Sequence, residues 1–260
     1  MSLPYNRLAA LYDGLMGEVD YDQWASYLER LCREYGTQGR RLLDLGCGTG
    51  TLTMLMAKAG FDVVGVDLSS DMLAIAADKG LAMNLSPSRW RCQDMRKLRF
   101  PRDSFDVAIC ACDGFNYLQN AAELSETLQG IAGCLKADGL LLFDLHSEHK
   151  MRHVFAGGQF VQESSDGYCI WTSEFDEQTG DCLHEMTIFS QQRGDLYLRS
   201  DESHRQHHFA PEDVATLLRE TGYNLLGTLA FGEKSPPTAE SERIQFVARR
   251  QADNGLRSGG

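Results

Sequence analysis

The sequence has no apolar run long enough to cross a membrane, and its first residues show no secretory signal. We therefore expect a cytoplasmic protein. None of the eight cysteines stands in a C-x-x-C pair, which argues against a zinc ribbon or an iron–sulfur cluster. We expect reduced, mostly buried thiols and no metal site, even at HRQHH (204–208), because neighbouring strand residues point to opposite faces.

Positive charge is also scarce. The 260 residues include 25 lysines and arginines against 37 aspartates and glutamates, which gives a net charge of -12. Such a chain is a poor match for a phosphate backbone or an anionic membrane, so we expect neither as its main partner. Its length suffices for one large α/β domain that carries an insertion.

Short apolar runs alternate with helical stretches from Arg40 onward. The runs are RRLLDL, DVVGVD, FDVAICAC and LLLFDL, and helices are predicted between them at 51–59, 70–80 and 121–136. This alternation is typical of βαβ units and predicts an α/β fold with a doubly wound parallel sheet. A helix beginning at Pro211 and two strands at 223–231 and 243–250 continue the pattern.

A different pattern occupies residues 151–208. The segments QFVQES, YCIWTSEF, CLHEMTIFS and DLYLRSDESHRQHH are separated by turn signals, which predicts an antiparallel β insertion on one edge of the main domain. Two helices are predicted ahead of the core, at about 3–15 and 20–35. We therefore expect four parts. They are a helical cap at 1–36, a core formed by 37–150 and 209–250, an insertion at 151–208, and a disordered tail at 251–260.

A glycine loop follows the first core strand in LLDLGCGTG, with glycines at positions 46, 48 and 50. Strand, tight turn and helix let a ligand approach the backbone and the helix N-terminus. The loop lacks the Lys-Ser/Thr of a nucleoside triphosphate site, and its G-x-G-x-G spacing differs from the dinucleotide fingerprint. The loop alone therefore leaves two possibilities open, a nucleotide-like ligand or a merely structural turn.

Acidic residues follow the next two strands. Asp67 ends the second strand, 17 positions after Gly50, where a carboxylate can accept hydrogen bonds from both hydroxyls of a ribose. The other possibility is that Asp67 caps the helix beginning near Ser69. Asp94 follows the third strand, where its carboxylate and the N–H of Met95 could read an adenine edge. NAD would satisfy the loop and Asp67, but not this third feature.

Four motifs in register resemble the class I S-adenosylmethionine-dependent methyltransferases: LDLGCGTG, VVGVDLSSDML, CQDM and FDVAICACDGFNYL. The resemblance covers residues 40–145 with specific motifs and 211–250 more loosely. It implies a Rossmann-like seven-stranded sheet with S-adenosyl-L-methionine as cofactor. The N-terminal segment and the insertion are similar to a group of small bacterial methyltransferases of unassigned substrate.

The resemblance also implies which residues hold the cofactor. They come from the glycine loop, the strand ends and the N-terminal helices: Tyr12, Tyr21, Trp24, Asp44, Gly46, Cys47, Gly48, Gly50, Asp67, Leu68, Met72, Asp94, Met95, Cys112 and Asp113. Asp44 and the loop backbone would hold the methionine portion, and Asp67 the ribose. Leu68 and Met72 would flank the adenine.

The remaining roles follow from the same resemblance. Asp94 and Met95 would recognise the amino edge of the adenine, and Cys112 would lie on the sulfonium side. Three aromatic residues could close over the cofactor from the N-terminal helices: Tyr12, Tyr21 and Trp24. These three lie on an amphipathic helix face, so they could equally belong to the core alone.

Methyl transfer from a sulfonium is a one-step displacement that needs no covalent residue, but a base is useful when the acceptor must lose a proton. Tyr117 and His146 fall at the carboxyl ends of core strands, and His204 could enter the same pocket from the returning strand of the insertion. His146 could instead cap a helix or face solvent, and His204 could face solvent because half of a strand's side chains do. Other side chains could enter the same pocket: Asp113, Asn116, Glu202 and Arg205.

The segment after the fourth strand reads CDGFNY instead of the Asn/Asp-Pro-Pro-aromatic motif of amino-group methyltransferases of nucleic acids. We therefore predict a methyltransferase that acts on a small-molecule acceptor, with the insertion as its lid. One alternative is an RNA or protein methyltransferase that docks through Arg193, Arg199 and Arg205 of the insertion. The other is a catalytically idle cofactor-binding module.

Overall fold

The computed structural model describes residues 8–37 and 39–252. Its helices are α1 (Ala9–Leu15), α2 (Tyr21–Glu34), α3 (Thr51–Lys58), α4 (Ser70–Leu81), α5 (Ala121–Cys134) and α6 (Pro211–Glu220). Its strands are β1 (Arg41–Leu45), β2 (Asp62–Asp67), β3 (Trp90–Cys92), β4 (Phe105–Cys110), β5 (Leu135–His146), β6 (Gln159–Ser164), β7 (Gly167–Asp176), β8 (Asp181–Gln191), β9 (Tyr197–His207), β10 (Tyr223–Ala230) and β11 (Arg243–Arg250). The predicted helix start at residues 3–7 and the predicted tail from residue 253 lie outside the described residues.

Seven strands form one sheet in the order β10-β11-β5-β4-β1-β2-β3. The strands from β1 to β5 run parallel, as the alternating pattern predicts. The sheet as a whole is mixed, because β11 runs antiparallel to both β5 and β10. No crossover helix separates β10 from β11, so β11 returns in the opposite direction.

Helices α2 and α5 begin at capping residues that the sequence makes recognisable. Asp20 accepts a hydrogen bond from the N–H of Gln23 at 2.8 Å at the start of α2. Asn120 accepts one from the N–H of Glu123 at 3.0 Å at the start of α5. Such caps satisfy backbone donors that have no partner within the helix, and they fix where each helix leaves the sheet.

The central strands are buried on both faces. Leu42 faces a cluster that includes α2 and α3, whereas Leu43 faces one that includes α5 and α6, and both side chains are fully buried. Helices on both faces of the sheet explain why these strands read as continuous apolar runs instead of alternating ones. The sheet is therefore doubly wound, with its carboxyl edge open for a site.

The residues between β5 and α6 form the predicted antiparallel β structure, a four-stranded sheet in the order β6-β7-β8-β9. Among the described strands, no ladder joins it to the seven-stranded sheet. Its attachment is made by side chains instead: Leu11 and Leu15 of α1 pack with Cys169 and Ile188. The second attachment is between β9 and the short helical segment Gly114–Tyr117 after β4.

Strand β9 alternates strictly between its two faces. Glu202, His204 and Gln206 are buried, whereas Ser203 and Arg205 are exposed. An inner face that carries three polar residues in a row is unusual, because buried polar groups cost free energy unless they find partners. All eight cysteines are free thiols, and no helix of the described residues is both long and apolar enough to cross a bilayer.

Candidate active site

A cavity of about 420 Å³ opens at the carboxyl ends of the parallel strands, and we call it the main cavity. Residues from β2, the segments after β3 and β4, α1 and β9 line it, among them Tyr12, Asp67, Met95, Tyr117 and Arg205. A second, smaller cavity of about 40 Å³ lies beside the glycine loop and is bordered by residues that include Asp44 and Tyr21. We call it the side cavity.

The glycine loop is held against β2 by its own backbone. The N–H groups of Gly46 and Cys47 donate to the carbonyl of Val66 at 2.8 and 3.0 Å. Gly48 has a φ of +53°, and a side chain there would meet no protein atom within 4 Å, so the loop leaves open space. Gly50 differs, because a Cβ there would lie 2.7 Å from the Trp90 ring. Gly50 therefore allows the Trp90 ring to pack against the backbone, and it lines neither cavity.

Asp67 contributes both to the turn before α4 and to the cavity wall, and its contact with the ribose stays a prediction. Its carboxylate accepts hydrogen bonds from the N–H groups of Gly48 and Ser69, both at 2.8 Å, so it does brace the start of α4. The same side chain lines the main cavity. Burial raises its pKa, and these backbone donors only partly oppose the effect.

Asp44 is the more deeply buried of the two acids, with 2% of its surface exposed, and it borders the side cavity. The Thr53 hydroxyl donates a hydrogen bond to it at 2.5 Å. Burial, with a further contribution from the Asp67 carboxylate, raises its pKa to about 7. Among the described residues, no lysine or arginine pairs with Asp44 or Asp67, so this side of the site holds two acids without a cation.

The segments after β2 and β3 form the far wall of the main cavity. Leu68, Met72, Asp94 and Met95 all line it. The Asp94 carboxylate is already engaged, because the Arg96 guanidinium donates to both of its oxygens at 2.6 to 3.1 Å. These hydrogen bonds lower the pKa of Asp94, so the carboxylate that could face a ligand is ionised.

The N-terminal aromatic residues separate into two groups. Tyr12 lines both cavities and Tyr21 borders the side cavity, and the two side chains are hydrogen-bonded to each other. Trp24 lines neither cavity. Its ring packs on Phe231, with centroids 4.2 Å apart, and lies under the Arg243 guanidinium at 5.2 Å.

The chain turns sharply after β4, where Cys112 and Asp113 adopt φ values of +55° and +56°. Cys112 lines both cavities, and burial raises the pKa of its thiol well above the usual value, so the thiol is neutral. The N–H of Asp113 donates to the Asp144 carboxylate at 3.0 Å, which fixes this left-handed turn. Asp113 itself lines neither cavity.

The Asp113 side chain belongs to a buried charge network that includes Asp144, His146 and Arg243. Asp113 lies 2.8 Å from an Arg243 nitrogen and 3.2 Å from His146 Nε2, and Arg243 also pairs with Asp144. Burial alone would raise the pKa of Asp113, but His146 and Arg243 hold it well below its usual value. None of these four residues lines either cavity.

A second chain of polar contacts reaches the main cavity. The hydroxyl of Tyr117 lies 3.1 Å from His204 Nδ1, and His204 Nε2 lies 2.9 Å from a carboxylate oxygen of Glu202. Tyr117 lines the main cavity, whereas His204 and Glu202 do not. Their exposed fractions are 2% and 5%, so the alternative in which His204 faces solvent is not the one adopted.

Three further hydrogen bonds fasten β9 to the segment after β4. Asn116 Nδ2 donates to the carbonyl of His207 at 2.8 Å, and Gln119 Nε2 to that of Arg205 at 3.3 Å. Gln206 Nε2 donates to the Asp113 carboxylate at 2.7 Å. The segment after β4, which itself lines the main cavity, therefore also positions the wall that β9 provides.

Comparisons with known proteins agree with this geometry. The model of the methyltransferase domain family matches residues 42–139. A Geobacillus sp. (strain WCH70) protein named as a methyltransferase is 39% identical over 249 residues, which are 95% of this chain and 100% of the relative. The chain belongs to the class I S-adenosylmethionine-dependent methyltransferases.

Solved structures of methyltransferases share the whole architecture. An S-adenosylmethionine-dependent methyltransferase from Clostridium acetobutylicum ATCC 824 superposes with a TM-score of 0.84 at 28% identity, over 95% of this chain and 99% of that one. The sugar N-methyltransferase KedS8 from Streptoalloteichus sp. ATCC 53650 shares the fold, with a TM-score of 0.74 at 24% identity, over 94% and 92% of the two chains. The predicted fold class and the predicted cofactor are thus confirmed.

The methyltransferase site has the chemistry that S-adenosylmethionine requires. Within residues 8–37 and 39–252, Asp44 and Asp67 have no basic partner, and they border cavities into which a cationic ligand could bring its charge. Gly48 leaves room for that ligand against the backbone. The residue-by-residue contacts remain predictions, and Trp24, Gly50 and Asp113 are the predicted contacts that line neither cavity.

His146 does not reach the cavities of the methyltransferase either. It is buried in the charge network, packs edge-on against the Phe155 ring and lines neither cavity. Burial lowers its pKa to about 4 despite the nearby Asp113 carboxylate, so it is neutral at pH 7. His146 is thus a buried, neutral imidazole that contacts Asp113 outside both cavities, and its role as a base stays a prediction.

Sequence reasoning missed several residues of the methyltransferase site. Arg96 and Glu123 line the main cavity, with a hydrogen bond of 2.7 Å between them, and Arg243 holds the two acids of the charge network. One signal was present in LLLFDL: an aspartate, Asp144, inside an otherwise apolar strand needs a cation as partner. Nothing in the sequence identified Arg243 as that cation.

Proposed function

We propose that this methyltransferase transfers a methyl group from S-adenosylmethionine to a small-molecule acceptor. The observation that carries the proposal is that one cavity is lined both by the family's cofactor segments and by β9 of the four-stranded sheet. Ser203 and Arg205 contribute to the same wall as Tyr117. A cavity of about 420 Å³ falls in the size range of small-molecule sites, roughly 300–1,000 Å³.

Within this proposal, the chain's own residues bind and orient. The backbone at Gly48 and the Asp67 carboxylate hold the ribose and methionine parts, and Leu68 and Met72 cover the adenine face. Asp44 accepts the cationic end of the cofactor in its ionised form. When bound, the cofactor supplies an electrophilic methyl group on a positively charged sulfur, so alignment of the acceptor with that methyl supplies most of the catalysis.

We further propose that the four-stranded sheet is a lid over the acceptor instead of a docking surface for a macromolecule. Two of the arginines that could have contacted nucleic acid are neutralised by their neighbours. Arg199 lies 2.9 Å from Asp201, and Arg205 pairs with Asp181. Together with the net charge of -12, these pairs leave little positive potential to attract a phosphate backbone.

The test is to incubate the purified protein with radiolabelled-methyl S-adenosylmethionine and a cell extract, and then to separate the products by size and by nuclease and protease sensitivity. Asp67→Ala is the binding-deficient variant. Asp62→Ala is its matched control, because Asp62 begins the same strand, has a half-exposed side chain and lines neither cavity.

Each fraction has a distinct meaning. Label in the small-molecule fraction that is lost in Asp67→Ala and kept in Asp62→Ala would support the proposal. Label in a nuclease-sensitive or protease-sensitive fraction would overturn it and make the four-stranded sheet a docking surface. Normal binding of S-adenosylhomocysteine without transfer to any fraction would indicate an idle module.

A further inference from the structure

Three titratable side chains form a line from the cavity wall into the interior of the lid. Tyr117 stands at the cavity, His204 lies behind its hydroxyl at 3.1 Å, and Glu202 lies behind the imidazole at 2.9 Å. The Tyr117 and His204 rings meet edge to face, with centroids 5.9 Å apart. A buried acid and histidine add little to stability compared with apolar residues, so their presence requires another explanation.

The hydrogen bonds of Glu202 suggest a direction for proton transfer along this line. One Glu202 oxygen accepts the N–H of Leu8 at 3.2 Å, and the other faces His204 Nε2. In a neutral imidazole with its hydrogen on Nε2, that hydrogen is directed at the carboxylate. His204 Nδ1 is then the acceptor for the Tyr117 hydroxyl hydrogen, as in the carboxylate–histidine pairs that orient a base.

We propose that Tyr117, His204 and Glu202 form a proton relay, with Tyr117 as the base that touches the acceptor and His204 as the group that stores the proton. The inference rests on the proposed function and narrows its substrate class to an acceptor that presents a hydroxyl group. A neutral amine attacks without first losing a proton, whereas a hydroxyl oxygen becomes a good nucleophile only as its proton leaves.

The acceptor oxygen forms a bond to the methyl carbon while the bond between that carbon and sulfur breaks, and the sulfur keeps the electron pair. The acceptor's proton passes to the Tyr117 oxygen, and the hydroxyl hydrogen of Tyr117 passes to His204 Nδ1. The resulting imidazolium is stabilised by the Glu202 carboxylate until it releases the proton to water. The products are a methyl ether, S-adenosylhomocysteine and one proton.

Other titratable groups pack around the relay and would influence its pH dependence. His184 pairs with His204 across β8 and β9, and its ring nitrogens face Ser173 and Gln206. Cys169 of β7 lies near the Glu202 carboxylate, and its thiol stays neutral because burial raises its pKa to about 11. The Tyr117 hydroxyl comes from the segment after β4, so the relay exists only while the lid is in place.

The test compares Tyr117→Phe with the native chain and with Tyr168→Phe. Tyr168 is a matched control, because its hydroxyl is bonded to the exposed Tyr197 hydroxyl in the same sheet and lines neither cavity. Turnover is measured from pH 5.5 to 9 on the small-molecule fraction of the extract, with S-adenosylhomocysteine affinity measured in parallel. Glu202→Gln reports on the positioning of His204.

We expect Tyr117→Phe to lower turnover about 100-fold at saturating cofactor, since general bases contribute about 10²–10⁴-fold, while S-adenosylhomocysteine affinity stays within about twofold. The native turnover should rise with pH, because the relay must accept a proton, and this rise should vanish in Tyr117→Phe and shift in Glu202→Gln. Tyr168→Phe should match the native chain. Turnover of Tyr117→Phe within about threefold of native would overturn the relay and leave the methyltransferase function intact.

Two further outcomes separate the proposals. Label recovered as an N-methyl product instead of a methyl ether would overturn the hydroxyl substrate class. Complete absence of transfer by the native chain would overturn the proposed function, and nitrogen NMR of His204 in the S-adenosylhomocysteine complex would then decide the relay by itself. A hydrogen on Nε2 is the expected result, and one on Nδ1 would contradict it.

Discussion

Two pairs of buried acids near the cavities are held in opposite ways. On the glycine-loop side, which we call the unpaired side, the described donors to Asp44 and Asp67 are hydroxyl and backbone groups, and burial raises the pKa of both. On the side of the turn after β4, which we call the paired side, Asp113 and Asp144 both pair with Arg243; His146 and Arg243 lower the pKa of Asp113, whereas burial raises that of Asp144. The first pair could accept a cationic ligand, whereas the second already holds a cation.

The largest expected effect comes from breaking the paired side. Arg243→Met leaves Asp113 and Asp144 buried without a counter-ion, and removing one partner of a buried ion pair costs about 3–5 kcal/mol. We expect the free energy of unfolding, measured in urea at pH 7, to fall by that amount. Arg89→Met, which removes a surface pair with Asp62, should change it little. Equal losses in the two variants would show that the paired side is not a support.

Breaking the unpaired side should affect binding more than folding. In Asp67→Asn the charge that would accept the ribose hydroxyls is lost, and hydrogen bonds to a charged group are each worth about 1.5–3 kcal/mol. We expect S-adenosylhomocysteine affinity, measured by calorimetry, to fall about 100-fold. Asp62→Asn should bind normally. A fall in unfolding free energy as large as the fall in binding free energy would contradict the assignment of Asp67 as a ligand contact.

The pH dependence of stability sharpens the comparison on the paired side. Burial lowers the pKa of His146 from 6.5 to about 4, so the unfolded chain binds this proton more readily than the folded chain. The contribution of neutral His146 to the free energy of unfolding is therefore complete above pH 6.5 and falls as the pH drops towards 4. We expect a loss of about 2 kcal/mol between pH 6.5 and pH 5.

His146→Gln is the control for that measurement, because it keeps a hydrogen-bond donor and removes the titration. The difference in unfolding free energy between the native chain and this variant should shrink as the pH falls from 6.5 to 5. A difference that stays constant would mean that His146 titrates normally in the folded chain.

The smallest effect is expected on the unpaired side. The pKa of Asp44 is raised to about 7, and the cationic ligand would bind its ionised form. Affinity for S-adenosylhomocysteine should therefore weaken below pH 7, approaching about tenfold per pH unit. In Asp44→Asn this proton linkage should be absent. Equal pH profiles for the native chain and the variant would exclude ionised Asp44 from binding.

The unpaired side was largely predictable from the sequence, because its parts lie within one βαβ unit. The glycine loop and Asp67 are brought together by a single crossover, which is nearly always right-handed. The paired side was not predictable, since Arg243 lies far along the chain from Asp113 and reaches it through the reversed strand β11. Helical spacing on α2 could not tell whether Trp24 faced a ligand or Phe231, because both present an apolar contact.

The alternation of β9 limits how the lid can change in length over evolution. Deleting one residue between Leu198 and Glu202 would move every later side chain of β9 to the opposite face of the sheet. His204 would then point outward and Arg205 inward. Deleting two would preserve the faces. Related genes that keep Tyr117 and the pair behind it should therefore vary in length at the exposed turn near Gly194, where a Cβ would meet no atom within 4 Å, and be uniform in length along the strand.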